Sequence, residues 1–492
     1  MKRKLNQPNP ADHPSDSDQQ SPLQPGRRTL LKSAALITAG TLAGSAGLNA
    51  IAPAFVHSRH RFDLNTSHWS KALPAASPPL ATDLTADIVI IGGGFTGLSA
   101  AYYLRSAYPD KNVVLLEAAR CGNGASGRNG AMLLTMTGDR YLRLSDNPEV
   151  DQKIYRLTSD NIRTLKALSL ELGIDCEIEQ LGALQVMNSA KAAGSAKEFA
   201  KMARELGFPY EYWSREKTAS VIGTDVYDGA LFDPMSGQVH PGKLVGLWKT
   251  AAEKAGVKIF DGTPVVNIEE GKIHTLTTSS GHVVKAAALV LATNAYTSDL
   301  GYLNNTIAPV YDYVGITPVL SEATLKQVGW TPGISFNDSQ LEVYYAGLTA
   351  DRRIHIGGGP IDYTFNNSQD PSANAGQRYA ALQKELGRLY PVLKDIGFET
   401  TWCGLVDMSM DESPAVGQMG QYNNIFYGIG FSGHGVNLTS VFGKIIADLV
   451  GGKREKWAWL PYLDQLPPYI PNEPLRWLAV HSVVSVARSS GL

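Results

Sequence analysis

The sequence predicts a mixed α/β fold with two unlike sheets, on three observations. First, Ala86-Asp87-Ile88-Val89-Ile90-Ile91 is an apolar, β-branched run that enters Gly92-Gly93-Gly94-Phe95-Thr96-Gly97. Such runs belong to parallel strands buried on both faces. Second, helical spacing from Leu98 to Arg105 leads to another apolar strand, Asn112 to Leu116, completing a βαβ pattern. Third, Tyr302 to about Glu399 is rich in Tyr, Thr and aromatic alternation, as an antiparallel sheet would be.

Composition narrows the function classes. A chain of 492 residues with 43% hydrophobic and 18% charged residues sustains two domains around separate cores. Forty-four basic against forty-six acidic residues leave a formal charge of −2, with no basic stripe, so nucleic-acid binding is not expected. The 48 glycines gather in short motifs without a repeat, which excludes collagen-like and linker-like chains. Cys121, Cys176 and Cys403 are too few and too scattered for a disulfide framework or a zinc site, so no metal is expected.

Residues 1–54 have the pattern of an export address. A polar leader precedes Gly26-Arg27-Arg28-Thr29-Leu30-Leu31-Lys32, an uncharged Ala-rich run from Ser33 to Val56, and the small-x-small site Ala52-Pro53-Ala54. This resembles a twin-arginine (Tat) signal, which implies the Tat translocase as a partner and a periplasmic or extracellular location. The run is also long enough to span a bilayer, so an uncleaved signal would anchor the protein. Its weak Ala/Gly/Thr hydrophobicity favours the signal. A linker at 55–85 follows.

In the Gly-rich turn each position has a physical task. Gly92 permits the tight bend, Gly94 lets backbone approach a pyrophosphate, and Gly97 lets helix meet strand. Phe95 and Thr96 open the helix whose N-terminus faces the phosphates. Glu117, twenty residues after Gly97, accepts from a ribose hydroxyl and disfavours a 2′-phosphate, leaving NAD or FAD. Three further segments favour FAD. One is Cys121 to Gly130, containing Ala125, Ser126, Gly127, Arg128 and Asn129, where a nicotinamide enzyme would continue with an ordinary helix. Another is the strand Ala287 to Ala295 with Thr293 in its terminal turn. The last is Ile425 to Val436, whose Gly430, Ser432, Gly433, Gly435 and Val436 open a helix running to Val450. Amides at that helix start would stabilise negative charge on a reduced flavin.

These motifs resemble the FAD-dependent D-amino-acid-oxidase superfamily, most of all its gamma-glutamylputrescine oxidase and glycine/sarcosine oxidase groups. Ser67-His68-Trp69 and Gly237-Gln238-Val239-His240-Pro241 share that likeness, which runs from about Asn65 to about Leu463. The resemblance implies a glutathione-reductase-like, Rossmann-type FAD domain from segments 86–150, 241–300 and 400–465. An antiparallel-sheet substrate domain, 151–240 and 301–399, is then inserted in it, and 466–492 is a tail. It also places Val265 where backbone meets the adenine. Local pattern adds a helix at Lys197 to Leu206, a strand at Gly182 to Met187 and a helix at Lys243 to Ala255, with 256–268 returning to strand.

Amine oxidation on a flavin needs orientation, exclusion of water and charge balance rather than a catalytic triad. The resemblance makes His434 the first candidate near the flavin ring, with a structural histidine as the alternative. Tyr344 and Tyr345 lie on a substrate-sheet strand, and alternation sends one of them to the cleft. Trp402 is expected beside flavin or substrate. Cys403 next to it is either a covalent flavin link, as in sarcosine oxidases, or a buried thiol, and the thiol is favoured. Two positions where relatives carry a cationic carboxylate partner are Asn437 and Ala346 here, which points towards amines over bare α-amino acids. Arg352 and Arg353 fit a surface hairpin better than a carboxylate clamp.

The expected activity is oxidation of an amine or amino acid at its CH–NH bond, with hydride passing to FAD and the imine hydrolysed. The acceptor is oxygen, or a membrane quinone or cytochrome in a dehydrogenase. Apolar residues between Pro474 and Val486 would give such a dehydrogenase a membrane contact, unless that tail docks back on the protein. A non-catalytic flavin-binding module is the alternative of another class.

Overall fold

In the computed structural model, which describes residues 66–138, 143–340, 342–363 and 375–490, the expected βαβ run forms the centre of one sheet. β1 (Leu84–Ile91) has Val89 and Ile90 without exposed surface, as a β-branched run between two layers requires. It pairs in parallel with β2 (Val113–Leu116) on one side and β11 (Val283–Leu291) on the other. β8 (Lys258–Phe260) extends the sheet past β2. Past β11 come parallel β18 (Ile425–Ile429) and antiparallel β17 (Ala415–Met419). β9 (Val265–Glu269) and β10 (His274–Thr278) continue antiparallel from β11. Three distant stretches of chain therefore share one sheet.

Helices α1 (Phe95–Ala107), α2 (Pro148–Leu172), α5 (Pro241–Lys254) and α8 (Gly435–Val450) pack in one core with that sheet. α1 and α8 touch backbone to backbone: a Cβ on Gly443 would stand 2.1 Å from Ser99 Oγ. The buried ion pair of Lys249 (α5) and Asp261 (2.9 Å) ties this core to the segment before β1, because Lys249 also donates to Ala75 O and Asp261 accepts from Ser77 N. A charge this deep persists only when fully partnered.

The second sheet runs β16 (Thr400–Met408), β12 (Ala308–Ile316), β15 (Ile354–Gly358), β14 (Tyr344–Leu348), β13 (Ser335–Asp338), β4 (Ala183–Val186), β6 (Gly229–Asp233), β5 (Glu211–Ser214). It is antiparallel throughout except at β13–β4. α3 (Ala190–Glu205), α4 (Arg215–Ile222), α6 (Glu322–Val328) and α7 (Ala375–Leu389) lie in the same stretches of chain. A short ribbon, β3 (Met132–Leu133) with β7 (Gly237–Gln238), joins the loop after β2 to the start of α5.

The mixed α/β class is as the sequence predicts, but three local expectations change. The 25-residue helix α2 is absent from the expected elements, although its ends are marked. Asn147 accepts from Val150 N, Pro148 opens the helix and Gly173 closes it at φ +67°. The Tyr302–Glu399 stretch is interrupted by α6 and α7, whose apolar sides cover the second core. The 256–268 return is two strands, β8 and β9, rather than one. The C-terminal stretch forms α9 (Leu475–Ser490), with Trp477 and Val480 packed on Ala308, Tyr363 and Ile470. The proposed signal, 1–54, and the linker up to residue 65 lie outside the described residues.

Candidate active site

A cavity of about 510 Å³ lies between the two sheets, and its walls come from both. On the first wall the Gly-rich turn is shaped by contacts that no side chain would survive. Gly92 has φ +108°, and a Cβ there would sit 2.4 Å from Ala292 O. A Cβ on Gly97 would lie 1.9 Å from Gly92 O. Gly97 thus supports the turn from beneath, while Gly92, Gly94, Phe95 and Thr96 line the cavity. Glu117 reaches the same wall from the end of β2, accepting from Gly93 N (2.7 Å) and Ala119 N (2.9 Å). Burial pushes its carboxyl up to about 6, against the pull of those amides. Val265 and Thr293 complete this end.

Loop 121–130 is held by three carbonyl ties. Ser67 Oγ donates to Gly127 O (2.5 Å), Trp69 Nε1 to Asn129 O (2.9 Å) and Trp402 Nε1 to Arg128 O (2.9 Å). Arg128 itself donates to Asn123 O and Cys403 O. Ala125, Ser126, Arg128 and Asn129 line the cavity; Gly127 is turned away from it. Trp402 corrects an expectation. It has no exposed surface and packs edge-on against Trp69 at 6.0 Å, beneath the loop and off the cavity. Its task is to anchor the loop. Cys403 is also off the cavity, its side chain in the second core with Tyr313 and Leu405, where burial and an apolar setting keep a thiol unreactive.

The turn before α8 supplies Ser432, Gly433, His434, Gly435 and Val436 to the wall. Gly430 is not in the wall; its amide donates to Asp407 Oδ2 (2.6 Å), which fixes the turn from below. Asp407 is fully buried at the cavity edge, and burial pushes its carboxyl up to about 7. His434 is half-buried with Nδ1 3.0 Å from Ser432 O. A carbonyl only accepts, so Nδ1 is the protonated nitrogen.

Helix capping gives a test of whether a dinucleotide fits here. α2, α3, α4, α5 and α6 are each capped by a side chain: Asn147, Ser189, Ser214, His240 and Ser321. His240 thus has a structural task, capping α5. α8 has no side-chain cap, and α1 has none from its N-cap Gly94, although Phe95 N donates across to Ser126 Oγ of loop 121–130 (2.8 Å); both starts open into the cavity. Helix-start amides need acceptors. Two starts facing one cavity, with a glycine cradle and a ribose-height carboxylate between its strands, fit the diphosphate and ring of FAD.

On the opposite wall the two tyrosines separate. Tyr345 lines the cavity and donates to Asp312 Oδ2 at 2.5 Å. Tyr344 faces the second core and is not part of the wall. Burial beside Asp338, Glu342 and Glu385 raises its hydroxyl to about 12. Asn437 is another correction. Its amide donates to Leu134 O and Thr158 O and accepts from Asn161 Nδ2 (2.8 Å), so it clamps α8 to α2 away from the cavity. Ala346 likewise faces the second core. Neither position argues about substrate charge in this chain. Arg353, mostly buried, pairs with Asp351 and with Glu399 just before β16, and exposed Arg352 with Glu322 of α6; none of them lines the cavity.

The charged wall residues Asp312, Asp407 and Arg476 were not among the candidates read from the sequence. Arg476 is buried at the start of α9, donating to Pro471 O (2.9 Å) and Asn304 O (2.7 Å), and it lines the cavity with Ile470 and Val480. The tail therefore docks onto the site. No local motif marks these residues; only the apolar stretch after Pro474 was visible.

A family model described as FAD dependent oxidoreductase (DAO) matches residues 87–449. The chain is 30% identical over 391 residues to a probable oxidoreductase, OrdL, of Haemophilus influenzae, covering 77% of this chain and 86% of that one. It is 29% identical over 401 residues to the gamma-glutamylputrescine oxidoreductase of Escherichia coli, covering 79% and 89%. Among solved structures, glycine oxidase of Geobacillus kaustophilus superposes with a TM-score of 0.65 at 21% identity, over 78% of this chain and 99% of that one.

Proposed function

This chain belongs to the FAD-dependent oxidoreductase (DAO) family and is an FAD-dependent enzyme of the amine and amino-acid oxidase type, and from that premise we propose that it oxidises the CH–NH bond of a small amine or amino acid outside the cytoplasm. The observation that carries the reading is the continuity of one cavity. It runs from the start of α1 and Glu117 to His434, Tyr345 and Asp312 on the far wall. FAD, when bound, accepts the hydride. The chain's own residues do the rest.

Gly92, Gly94 and the amide of Thr96 would receive the diphosphate beside Ser126, which holds the Phe95 amide, and Glu117 a ribose hydroxyl. The α8 start, kept in place by Asp407, presents amides to any negative charge that develops at its end of the cavity. Loop 121–130, pinned by Ser67, Trp69 and Trp402, closes the wall between the sheets and excludes water. Asp312, Tyr345 and Arg476 are polar groups in an otherwise largely apolar space, and they orient a substrate by charge. With Arg476 present, a substrate carboxylate is admissible.

Export by the Tat pathway is supported by Arg27-Arg28 and the Ala-rich run that follows. A second reading of the acceptor comes from the tail. Leu466, Tyr469 and Leu478 are exposed beside the cavity-lining residues, which favours a dehydrogenase whose electrons leave to a membrane quinone or cytochrome. Among the described residues no helix is long and apolar enough to cross a membrane. The deciding experiment is an anaerobic panel of amines, gamma-glutamylated amines and amino acids, watching the oxidised flavin band. Bleaching by at least one member supports the reading, and a band unchanged by all of them would reduce the protein to a flavin-binding module. Oxygen uptake against quinone or dye reduction then separates the acceptors.

A further inference from the structure

Asp312 is an unusual wall residue. It lies on β12, half-buried, and lines the cavity. Its partners are Tyr345 Oη at 2.5 Å and the backbone of Gly358 and Tyr313, and among the described residues it forms no ion pair. A buried carboxylate without a counter-charge costs several kcal/mol, and natural sites keep one only when something else supplies the charge. Burial has pushed this carboxyl up to about 6.

The tyrosine is held for that contact. Two glycines make room for its ring: a Cβ on Gly130 would lie 2.3 Å from Cε2, and one on Gly357 2.3 Å from Oη. The ring is thus wedged between loop 121–130 and β15 with its hydroxyl aimed at the carboxylate. Asp312 is also in register with Gly404, whose missing side chain admits the stem of Arg128. Arg128 donates to Asn123 O and Cys403 O.

We infer that the Asp312–Tyr345 pair is the recognition site for the substrate's ammonium group and that Asp312 takes its proton. The inference rests on the amine-oxidising reading above and adds the residue that selects a cation. Amines arrive protonated at neutral pH, and a protonated nitrogen has no lone pair to assist hydride loss from the neighbouring carbon. The step is R–CH2–NH3+ plus carboxylate giving R–CH2–NH2 plus carboxylic acid, with no electrons exchanged. Burial helps it, because a dry site raises a carboxyl and lowers an adjacent ammonium, narrowing the gap between them. Tyr345 keeps its hydrogen bond to either form of the acid by rotating its hydroxyl.

The test uses FAD-loaded protein and tert-butylammonium, an amine with no hydrogen on the carbon bearing nitrogen and therefore not oxidisable. Its binding is read as a perturbation of the flavin spectrum, with tert-butanol as the neutral isostere. Asp312→Asn is expected to weaken tert-butylammonium by about tenfold or more, the loss of a charge-assisted contact, and to change tert-butanol less than about twofold. Tyr345→Phe, which keeps the ring between the glycines, is expected to weaken the ammonium by a smaller factor, roughly threefold. Equal binding of the ammonium to wild type and Asp312→Asn would overturn the inference. So would no ammonium binding to wild type. If no amine bleaches the wild-type flavin, the functional reading fails; if amines bleach wild type and Asp312→Asn with the same kcat/KM, only this inference does.

Discussion

The two walls of the cavity are made of different material. The wall next to β1 is mostly backbone: a turn at φ +108°, two helix starts whose N-cap residues supply no capping side chain, and glycines at positions where a Cβ would meet a carbonyl at 1.9 to 2.4 Å. The wall next to β12 is mostly side chains, Asp312, Tyr345 and Arg476, brought from three stretches more than thirty residues apart. A backbone wall suits a ligand every family member shares, because amides offer the same groups whatever the sequence. A side-chain wall can be changed one residue at a time, which suits a ligand that differs between members.

That contrast can be broken most severely at Gly94. A Cβ there would stand 2.9 Å from Ser126 Oγ, on the surface that meets the diphosphate. Gly94→Val is expected to lower FAD affinity by about 100-fold or more, roughly 2.7 kcal/mol, as the β-branched side chain occupies the ligand's place. Flavin absorbance per chain after desalting measures it. Stoichiometric FAD in that variant would show that the wall does not depend on bare backbone there.

The opposite wall should fail locally. Arg476→Ala removes the bonds to Pro471 O and Asn304 O that fasten the start of α9. Loss of these buried bonds is expected to cost about 2 kcal/mol. It should appear as a lower Tm and faster proteolysis beyond residue 470, with FAD content kept. FAD lost together with the tail would mean that the two walls are not separable.

The smallest effect sharpens the comparison at Asp407, where a side chain supports the backbone wall. Its folded carboxyl is raised from 3.8 to about 7, so the folded protein holds that proton more tightly than the unfolded chain does. The contribution is therefore fully present below about pH 4 and is lost as pH rises through about 7. Asp407→Asn cannot ionise, yet still accepts from Gly430 N. Its Tm relative to wild type is expected to climb by a few degrees between pH 5 and pH 8. A pH-independent difference would show that Asp407 titrates as an ordinary carboxylate.

The sequence by itself determined the β1–turn–α1–β2 unit, Glu117 at its end, and the Gly-rich start of α8. Each is a contiguous run in which local sterics demand particular residues, so composition and spacing report the geometry directly. It also separated Tyr344 from Tyr345, since alternation along a strand is local too. Tertiary structure alone decided the rest. Trp402 and Asn437 sit in motifs of the right kind, yet one braces a loop and the other clamps two helices, because their hydrogen bonds run to residues some 275 positions away. Asp312 becomes a site only when β14 brings Tyr345 beside it, and Arg476 only when the tail folds back to Asn304. A carboxylate or a guanidinium looks the same in sequence wherever it stands; what it can do depends on the charges and water that remain around it once distant strands have met.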